Sequence, residues 1–407
     1  MKAVWTCWSK FSVIAGLVLF FLTCCTLVKP PPQLSLIPTD PPPLSQEELS
    51  SWNEEFLQAL DRQIAFYERS PERVWRLGDR LVSTDDLEET LQAIRALAHQ
   101  PPASILQALQ TRFDWYRTPG DDAQDGLLVT GYYAPIIAAR RHPDSRFRYP
   151  IYQPPPDLQT RWVGEEGEKR RVVGRLVAGK WVPYYTRAEI DGAGVLRGRG
   201  LEIAYTDDPF ALYLLHVEGA GYLVFPDEPM CLVNYAADNG YPYTSLGTLF
   251  LREGKISLEQ MSLSQIRRYF QTHPSELFSY LWQNKRYIFF QEICPAVPPR
   301  GSLGLPLTPG YSIATDPHLF PPGAVALLLT SQPVVNRKGE VTRYTPLRRF
   351  VLNQDSGGAI KGPKRVDLFW GKGNTAEIIA GHMKQPGRLY FLLKRKPEEP
   401  DYLMSEK

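Results

Sequence analysis

The sequence predicts a mixed, β-dominated fold with helices toward its N-terminal side, and three observations carry this. Apolar residues recur at helical spacing from Leu49 to Phe113, short β-forming runs take over from Leu127, and residues 137–213 mix Pro, Gly and charge with brief strands. A chain of 407 residues has room for about two or three domains, and 43% hydrophobic residues is ordinary for a globular protein. The net charge of +2 gives no global attraction for nucleic acid. Six His and five Cys show no zinc-like spacing, and no Gly-Lys-Ser/Thr loop is present to cradle phosphate. Neither a metal nor a nucleotide cofactor is expected.

The chain begins with a segment built for export. Lys2 and Lys10 precede the apolar run Phe11–Leu22, which is shorter than the roughly 20 residues a membrane span needs. Leu22-Thr-Cys-Cys25 resembles a bacterial lipoprotein cleavage site, with residues 1–25 as the signal peptide and Cys25 as the lipidated residue. Cys24 stands where that pattern usually has Gly or Ala. A plain signal peptide and an uncleaved anchor are the alternatives, and each exports the remainder. Leu27 and Val28 include no retention Asp, so the periplasmic face of the outer membrane is the expected location. Residues 26–44 hold Pro30–Pro32, Pro38 and Pro41–Pro43, a composition that favours extended polyproline II and a semi-rigid spacer.

Ser45-Gln-Glu-Glu48 reads as a capping box, followed by Leu49, Trp52, Phe56, Leu60 and Ile64 at helical spacing. A second helix is predicted over residues 83–98, with Leu87, Leu91, Ile94 and Leu97 on one face, and a third carries Ile105, Leu106, Leu109 and Phe113. These stripes read as packing faces. Predicted strands follow at residues 127–133, 171–176, 201–206, 222–225, 287–291, 324–329, 344–353, 366–370 and 388–394. Helical patterns return at residues 246–252, 262–272 and 275–283, and residues 397–407 read as a tail.

The most telling stretch is Asn353-Gln-Asp-Ser-Gly-Gly-Ala-Ile-Lys-Gly-Pro-Lys-Arg-Val-Asp-Leu-Phe-Trp-Gly-Lys372. It sets Asp355 and Asp367 on either side of a turn containing Gly357, Gly358 and Gly362, where glycine permits positive φ and close backbone approach. Val366, Leu368 and Trp370 alternate with Asp367, Phe369 and Gly371, as in a strand with one buried face. Asp367 would then project from the other face beside Phe369, whose ring can pack on a sugar. A carboxyl in a partly apolar groove has the raised pKa a general acid needs. Equally, Asp355 and Asp367 read as a turn-capping residue and a surface strand residue.

The block Asp-Ser-Gly-Gly-Ala-Ile-Lys-Gly, followed by Val-Asp-Leu-Phe-Trp-Gly, resembles the C-terminal signature of the membrane-bound lytic murein transglycosylase A family. Three positions match the family's three-aspartate module, which spans about residues 305–372: Asp316, Asp355 and Asp367. The likeness continues in order through Thr130-Gly-Tyr-Tyr-Ala-Pro135, Tyr149-Pro-Ile-Tyr152, Thr186-Arg-Ala-Glu-Ile190, His216-Val-Glu-Gly-Ala-Gly-Tyr222 and Tyr235-Ala-Ala-Asp-Asn-Gly-Tyr-Pro-Tyr243. It implies a double-psi β-barrel assembled from residues 45–136 and 214–396, a smaller inserted β domain at 137–213, and a glycan groove between them.

The resemblance also implies cleavage of the β-1,4 bond between N-acetylmuramic acid and N-acetylglucosamine in peptidoglycan, leaving a 1,6-anhydro sugar. Asp367 matches the family's catalytic acid, Asp355 a supporting one, and Asp316 a structural position. Thr130, Tyr132, Tyr133, Glu218, Gly219, Gly221, Gly357, Gly358, Lys361 and Phe369 fall on the groove. Glu218 departs from the usual Gln and Ala220 from the usual Ser, so a second carboxylate and a hydrolase remain open. A non-catalytic wall-binding barrel is the remaining alternative. Implied partners are peptidoglycan strands, a membrane through the lipid anchor, and proteins of cell-wall synthesis or division. After export, Cys231 and Cys294 can pair or stay separate buried thiols.

Overall fold

Aliphatic and β-branched runs dictate the central feature. In the computed structural model, strands Val325–Val335, Val341–Asp355, Ser312–Ala314, Arg365–Lys372, Leu127–Ala134 and Lys384–Lys394 pair in that order, and the last pairs back onto the first. The six strands therefore close a barrel, which leaves no free edge among them. Ser312–Ala314 runs parallel to Val341–Asp355, and Arg365–Lys372 parallel to Leu127–Ala134, so the barrel is mixed. Leu327, Leu328, Phe350, Val351, Val366 and Leu368 on its strands are buried in the main core. The described residues are 33–396, apart from 35, 78–79, 120–125, 165–168, 259 and 337–338. The leader 1–25 with Cys25, the first part of the proline-rich stretch and the tail 397–407 lie outside them.

The later part of the expected spacer is laid on the barrel. Leu36 is buried in the barrel core, Ile37–Thr39 pairs with Phe113–Arg117, and Arg348 Nη2 donates to the Pro43 carbonyl at 2.7 Å. Ser45 forms the capping box as read, but the helix it starts ends at Leu49. Asn53 then caps a second helix, Glu54–Tyr67, by accepting from Phe56 N–H. Thr84–Leu97 and Pro102–Thr111 follow, and Phe56, Leu60, Leu87, Leu91, Ile94 and Leu109 pack onto the barrel core. Phe113 does not extend the third helix; it opens the strand Phe113–Arg117, whose Phe-Asp-Trp-Tyr run favours β.

A second sheet orders Ile288–Ile293, Cys231–Asp238, Ala220–Val224 and Ile136–Ala138. Its Leu223, Val233 and Phe290 pack with Ile151, Ala204, Leu212 and Leu215, which joins the stretch 137–213 to later strands. Two smaller sheets, Tyr149–Tyr152 with Glu202–Thr206 and Gln159–Val163 with Arg170–Val177 and Lys180–Pro183, complete this side. Cys231 and Cys294 are joined as a disulfide, with Cα atoms 4.6 Å apart. Two helices carry no periodic signal in the sequence. Pro209–Glu218 buries Phe210, Leu212, Tyr213, Leu214, Leu215 and His216, nearly all around, so only its caps Asp208 and Gly219 mark it. Gly373–His382 covers the barrel wall beside Tyr133.

Candidate active site

Strand register brings the acids to one level. Ala314 is the Cα partner of Asp355 on one side and of Asp367 on the other, and Asp367 is in turn the partner of Thr130. Residues level with one another across a sheet project to the same face, so Asp355, Asp367 and Thr130 share one side of the barrel wall. One strand lies between the two acids, which sets their backbones roughly 10 Å apart. Val366 and Leu368 turn into the barrel core, as the alternation predicts. The opposite face is buried too: Asp367 is 8% exposed and Phe369 2%, because Phe369 packs with Ala134, Tyr222, Leu232 and Leu307.

Each acid has its own set of donors. Thr130 Oγ1 donates to Asp367 Oδ1, and Arg365 Nε donates to the same oxygen at 3.2 Å. Among the described residues Oδ2 accepts no hydrogen bond. Burial raises the Asp367 pKa, opposed by the Arg365 charge and the Thr130 hydroxyl. Asp355 Oδ1 accepts from the Ser302 and Ser356 N–H groups, both at 2.8 Å, and Oδ2 from the Tyr132 hydroxyl at 3.0 Å. Burial still pushes Asp355 up to about 6 against those donors.

Asp316 is not with them. Its Oδ1 accepts from His318 N–H and its Oδ2 from Gly362 N–H at 3.0 Å, so it ties one turn to the loop between the other two acids. Gly362 has φ +84°, as the glycine-rich turn predicts. Gly357 and Gly358 do not have positive φ; a Cβ on Gly358 would stand 3.4 Å from Arg286 Cζ, and one on Gly357 3.0 Å from Ile360 Cδ1. Close approach accounts for Gly357, whereas a side chain on Gly358 would make only ordinary contact with Arg286.

A groove of about 850 Å³ runs past this face. Of the residues singled out in the sequence, Tyr132, Tyr133, Glu218, Gly219, Asp355, Gly357, Gly358, Lys361 and Phe369 line it. Asp367, Thr130, Asp316 and Gly221 are not in its lining. Gly221 serves packing, since a Cβ there would meet Leu215 Cδ1 at 2.6 Å. The rings of Tyr132 and Phe369 lie 5.1 Å apart and form an aromatic patch beside the acids.

Glu218 ends the helix Pro209–Glu218 and accepts from Tyr133 N–H at 3.3 Å. Burial pushes it up to about 8; the Tyr133 hydrogen bond opposes this, and the like charges of Asp367 and Glu377 add to it. Burial thus favours the neutral form of Glu218 in the groove wall.

Sequence reasoning missed four groups of the groove. Asp238, 2% exposed, accepts from Arg171 Nη1 and Arg286 Nη2, each at 3.1 Å, and from the Tyr235 hydroxyl at 2.7 Å. Ser302 supplies the N–H that holds Asp355. Asp238 lies inside a block quoted for the family resemblance, but a single Asp in a strand gives no sign of two guanidinium partners brought from residues 171 and 286. Arg365 beside Asp367 was legible from strand alternation, two residues apart on one face.

Fold and site together give a closed mixed barrel whose wall carries buried carboxyls of raised pKa beside a long groove. The description "MltA specific insert domain" matches residues 128–291, and "3D domain" matches 311–393. The chain is 32% identical over 288 residues to membrane-bound lytic murein transglycosylase A of Vibrio cholerae, covering 70% of each. It is 33% identical over 285 residues to the Escherichia coli protein of that name, again 70% of each. A membrane-bound lytic murein transglycosylase from Agrobacterium tumefaciens is similar in structure, with TM-score 0.70 and 28% identity over 86% of this chain and 97% of that one. Escherichia coli MltA with bound chitohexaose gives TM-score 0.63 and 25% identity over 90% and 95%. The chain belongs to the membrane-bound lytic murein transglycosylase A family.

Proposed function

We propose that this protein cleaves the β-1,4 bond between N-acetylmuramic acid and N-acetylglucosamine in peptidoglycan and leaves 1,6-anhydromuramic ends, with Asp367 as acid and then base. The observation that carries this is the anchoring of Asp367 through Oδ1, with no hydrogen bond to Oδ2 among the described residues and the pKa raised. A raised pKa favours the protonated carboxyl, which can give its proton to the leaving glycosidic oxygen. As carboxylate it then takes the proton of the C6 hydroxyl, which attacks C1 of the same muramic residue. Intramolecular delivery supplies effective molarities of up to about 10⁵–10⁸ M, so no second carboxylate is required.

Asp355 orders the 355–358 turn and holds the Tyr132 hydroxyl toward the groove. The groove receives the glycan, with Tyr132, backed by the buried ring of Phe369, against a sugar face and Lys361 placed to meet stem-peptide carboxylates. We read the barrel as double-psi, and the chain as a barrel lobe of residues 45–136 and 214–396 with an inserted lobe at 137–213. On this reading the inserted lobe shares the 220–224, 231–238 and 288–293 sheet. The family name supports a membrane-bound enzyme. A lipid on Cys25 would hold it on the periplasmic face of the outer membrane, where proteins of wall synthesis or division are the expected partners.

A second reading has one specific support: Glu218, Asp238 and Asp355 lie in the groove lining and Asp367 does not, and with Asp238 committed to Arg171 and Arg286 this leaves Asp355 and Glu218. Two groove carboxyls could activate water and give hydrolysis. Mass spectrometry of peptidoglycan digested with residues 26–407, which keep the 36–44 segment laid on the barrel, beside the Asp367→Asn protein, separates the two. Anhydro ends that vanish in the mutant support the transglycosylase; reducing-end sugars make it a hydrolase. Glycan binding without any soluble product would leave only a wall-binding module.

A further inference from the structure

A second cavity, of about 600 Å³, opens between the stretch 143–213 and the segment 278–282, and it shares no lining residue with the groove. Its wall is a continuous row of rings. Tyr149 and Phe278 have centroids 6.1 Å apart, and Phe278 and Trp282 lie 5.6 Å apart. Two carboxyls, Asp191 and Glu202, and two guanidiniums, Arg148 and Arg197, also line it. A third guanidinium, Arg187, is committed elsewhere: Nε donates to the Asn284 carbonyl and Nη2 to the Arg286 carbonyl.

The lining selects for one kind of ligand. Arg148 Nη2 donates to the Tyr149 hydroxyl at 3.0 Å, Arg197 Nη2 to the Asp191 carbonyl at 3.5 Å, and Glu202 accepts from the Gly198 and Leu201 N–H groups. These polar side chains are thus held in place, and the lining carries a formal excess of one positive charge, three guanidiniums against two carboxyls. Carboxylates accept from hydroxyls and guanidiniums donate to hydroxyl or amide oxygens, so the polar groups suit a ligand rich in both. A row of ring faces suits the flat apolar side of a pyranose, and the volume falls in the range of small-ligand sites. We propose that this cavity is a second carbohydrate-binding site, which takes the end of an N-acetylated glycan chain and tethers the enzyme to its polymer without cleaving it.

The proposal rests on the glycan-cleaving reading for its choice of polymer, while the geometry stands apart from the acids. The two sites are held in fixed relation by buried Arg187, whose Nη1 lies 3.5 Å from Asp191 in the cavity. Its other bonds fix the backbone of Arg286, and the Arg286 side chain reaches Asp238 in the groove. A second hold on the same strand raises the local concentration of bonds to be cleaved, an effect felt on insoluble wall and not on short soluble chains.

Titration calorimetry of the Asp367→Asn protein with chitohexaose tests this. Two binding sites are expected, one of which disappears in the added Phe278→Ala variant while the other keeps its affinity. In the otherwise native protein, Phe278→Ala should lower product release from insoluble sacculi by about fivefold and leave turnover of short soluble strands unchanged. Arg197→Ala, at the exposed rim, should weaken the same site with no change in melting temperature, which separates lost binding from lost folding. A single site in both proteins would overturn the proposal. So would a second site filled by free stem peptide and not by the sugar. Failure to form anhydro ends would sink the transglycosylase reading and leave the two-site stoichiometry standing.

Discussion

Thr130 and Asp367 are Cα partners across two parallel strands of the barrel wall, and the Thr130 hydroxyl donates to Asp367 Oδ1. The hydrogen bond stabilises the carboxylate and so opposes the rise in pKa that burial imposes. Thr130→Val removes that donor and raises the Asp367 pKa further. An acid catalyst works while protonated, so the alkaline limb of the activity profile should move upward by roughly one pH unit, given about 1.5–3 kcal/mol for a charged hydrogen bond. Thr130→Ser should restore the parent profile. An unmoved limb in Thr130→Val would show that another group sets it.

Two carboxyls with raised pKa also make folding stability depend on pH. Glu218 is pushed up to about 8 from an ordinary 4.5, and Asp355 to about 6 from 3.8. Between the ordinary and the raised value the folded state binds a proton that the unfolded state does not. Stability therefore rises as pH falls through those windows and is lost as pH climbs through the folded values. Glu218→Gln should melt higher than the parent protein at pH 9 and alike at pH 5, as read by calorimetry at matched ionic strength. Equal gains at both pH values would point to packing instead of ionisation.

Asp238 holds Arg171 and Arg286 at once and is itself buried. Removing one partner of a buried ion pair leaves uncompensated charge and costs about 3–5 kcal/mol where both sides are buried. Arg171 and Arg286 are partly solvated, at 36% and 23% exposed side chain, so Asp238→Ala should cost less, about 1–3 kcal/mol in denaturant unfolding. Loss of groove affinity for chitohexaose should accompany it, because both arginines line the groove. Full affinity in Asp238→Ala would remove them from substrate binding.

The fold was legible where one face of an element alternates against the other. Val366–Trp370 reads as a strand from the alternation of Val366, Leu368 and Trp370 with Asp367 and Phe369, although the structure buries both faces, and Leu127–Tyr133 reads as one from its β-forming residues. Pro209–Glu218 was not legible, since a helix buried nearly all around shows no period to find. The site divided in the same way. Asp355 and Asp367 stand out through their glycine-rich turn, whereas the level row through Ala314 depends on strand order, which local sequence does not carry. The pairing of Cys231 with Cys294 likewise depends on Cys231–Asp238 running antiparallel to Ile288–Ile293, a register set by the whole sheet.

That disulfide stands at the root of the segment that reaches the active face. From Cys294 the chain passes Asn234, whose Oδ1 accepts from Arg300 N–H at 3.0 Å, and then brings Ser302 N–H to Asp355. Gly301 is pinned there, because a Cβ would stand 2.5 Å from the Gln354 carbonyl and 2.8 Å from Leu307 Cδ2. Cys231→Ser with Cys294→Ser opens a link spanning 63 residues and should cost about 2–5 kcal/mol. Asn234 and the barrel contacts remain, so the loop should keep its place below the lowered melting point and activity there should stay within about twofold. Gly301→Ala acts differently: its Cβ must push the loop off the Gln354 carbonyl, which lowers the melting temperature, and the accompanying displacement of Ser302 takes a donor from the Asp355 carboxylate and raises that pKa above about 6. Thermal melts with and without reductant, set beside pH–rate profiles of both variants, measure the two effects separately. Equal losses of stability and activity in both variants would mean that the loop acts only as a structural strut.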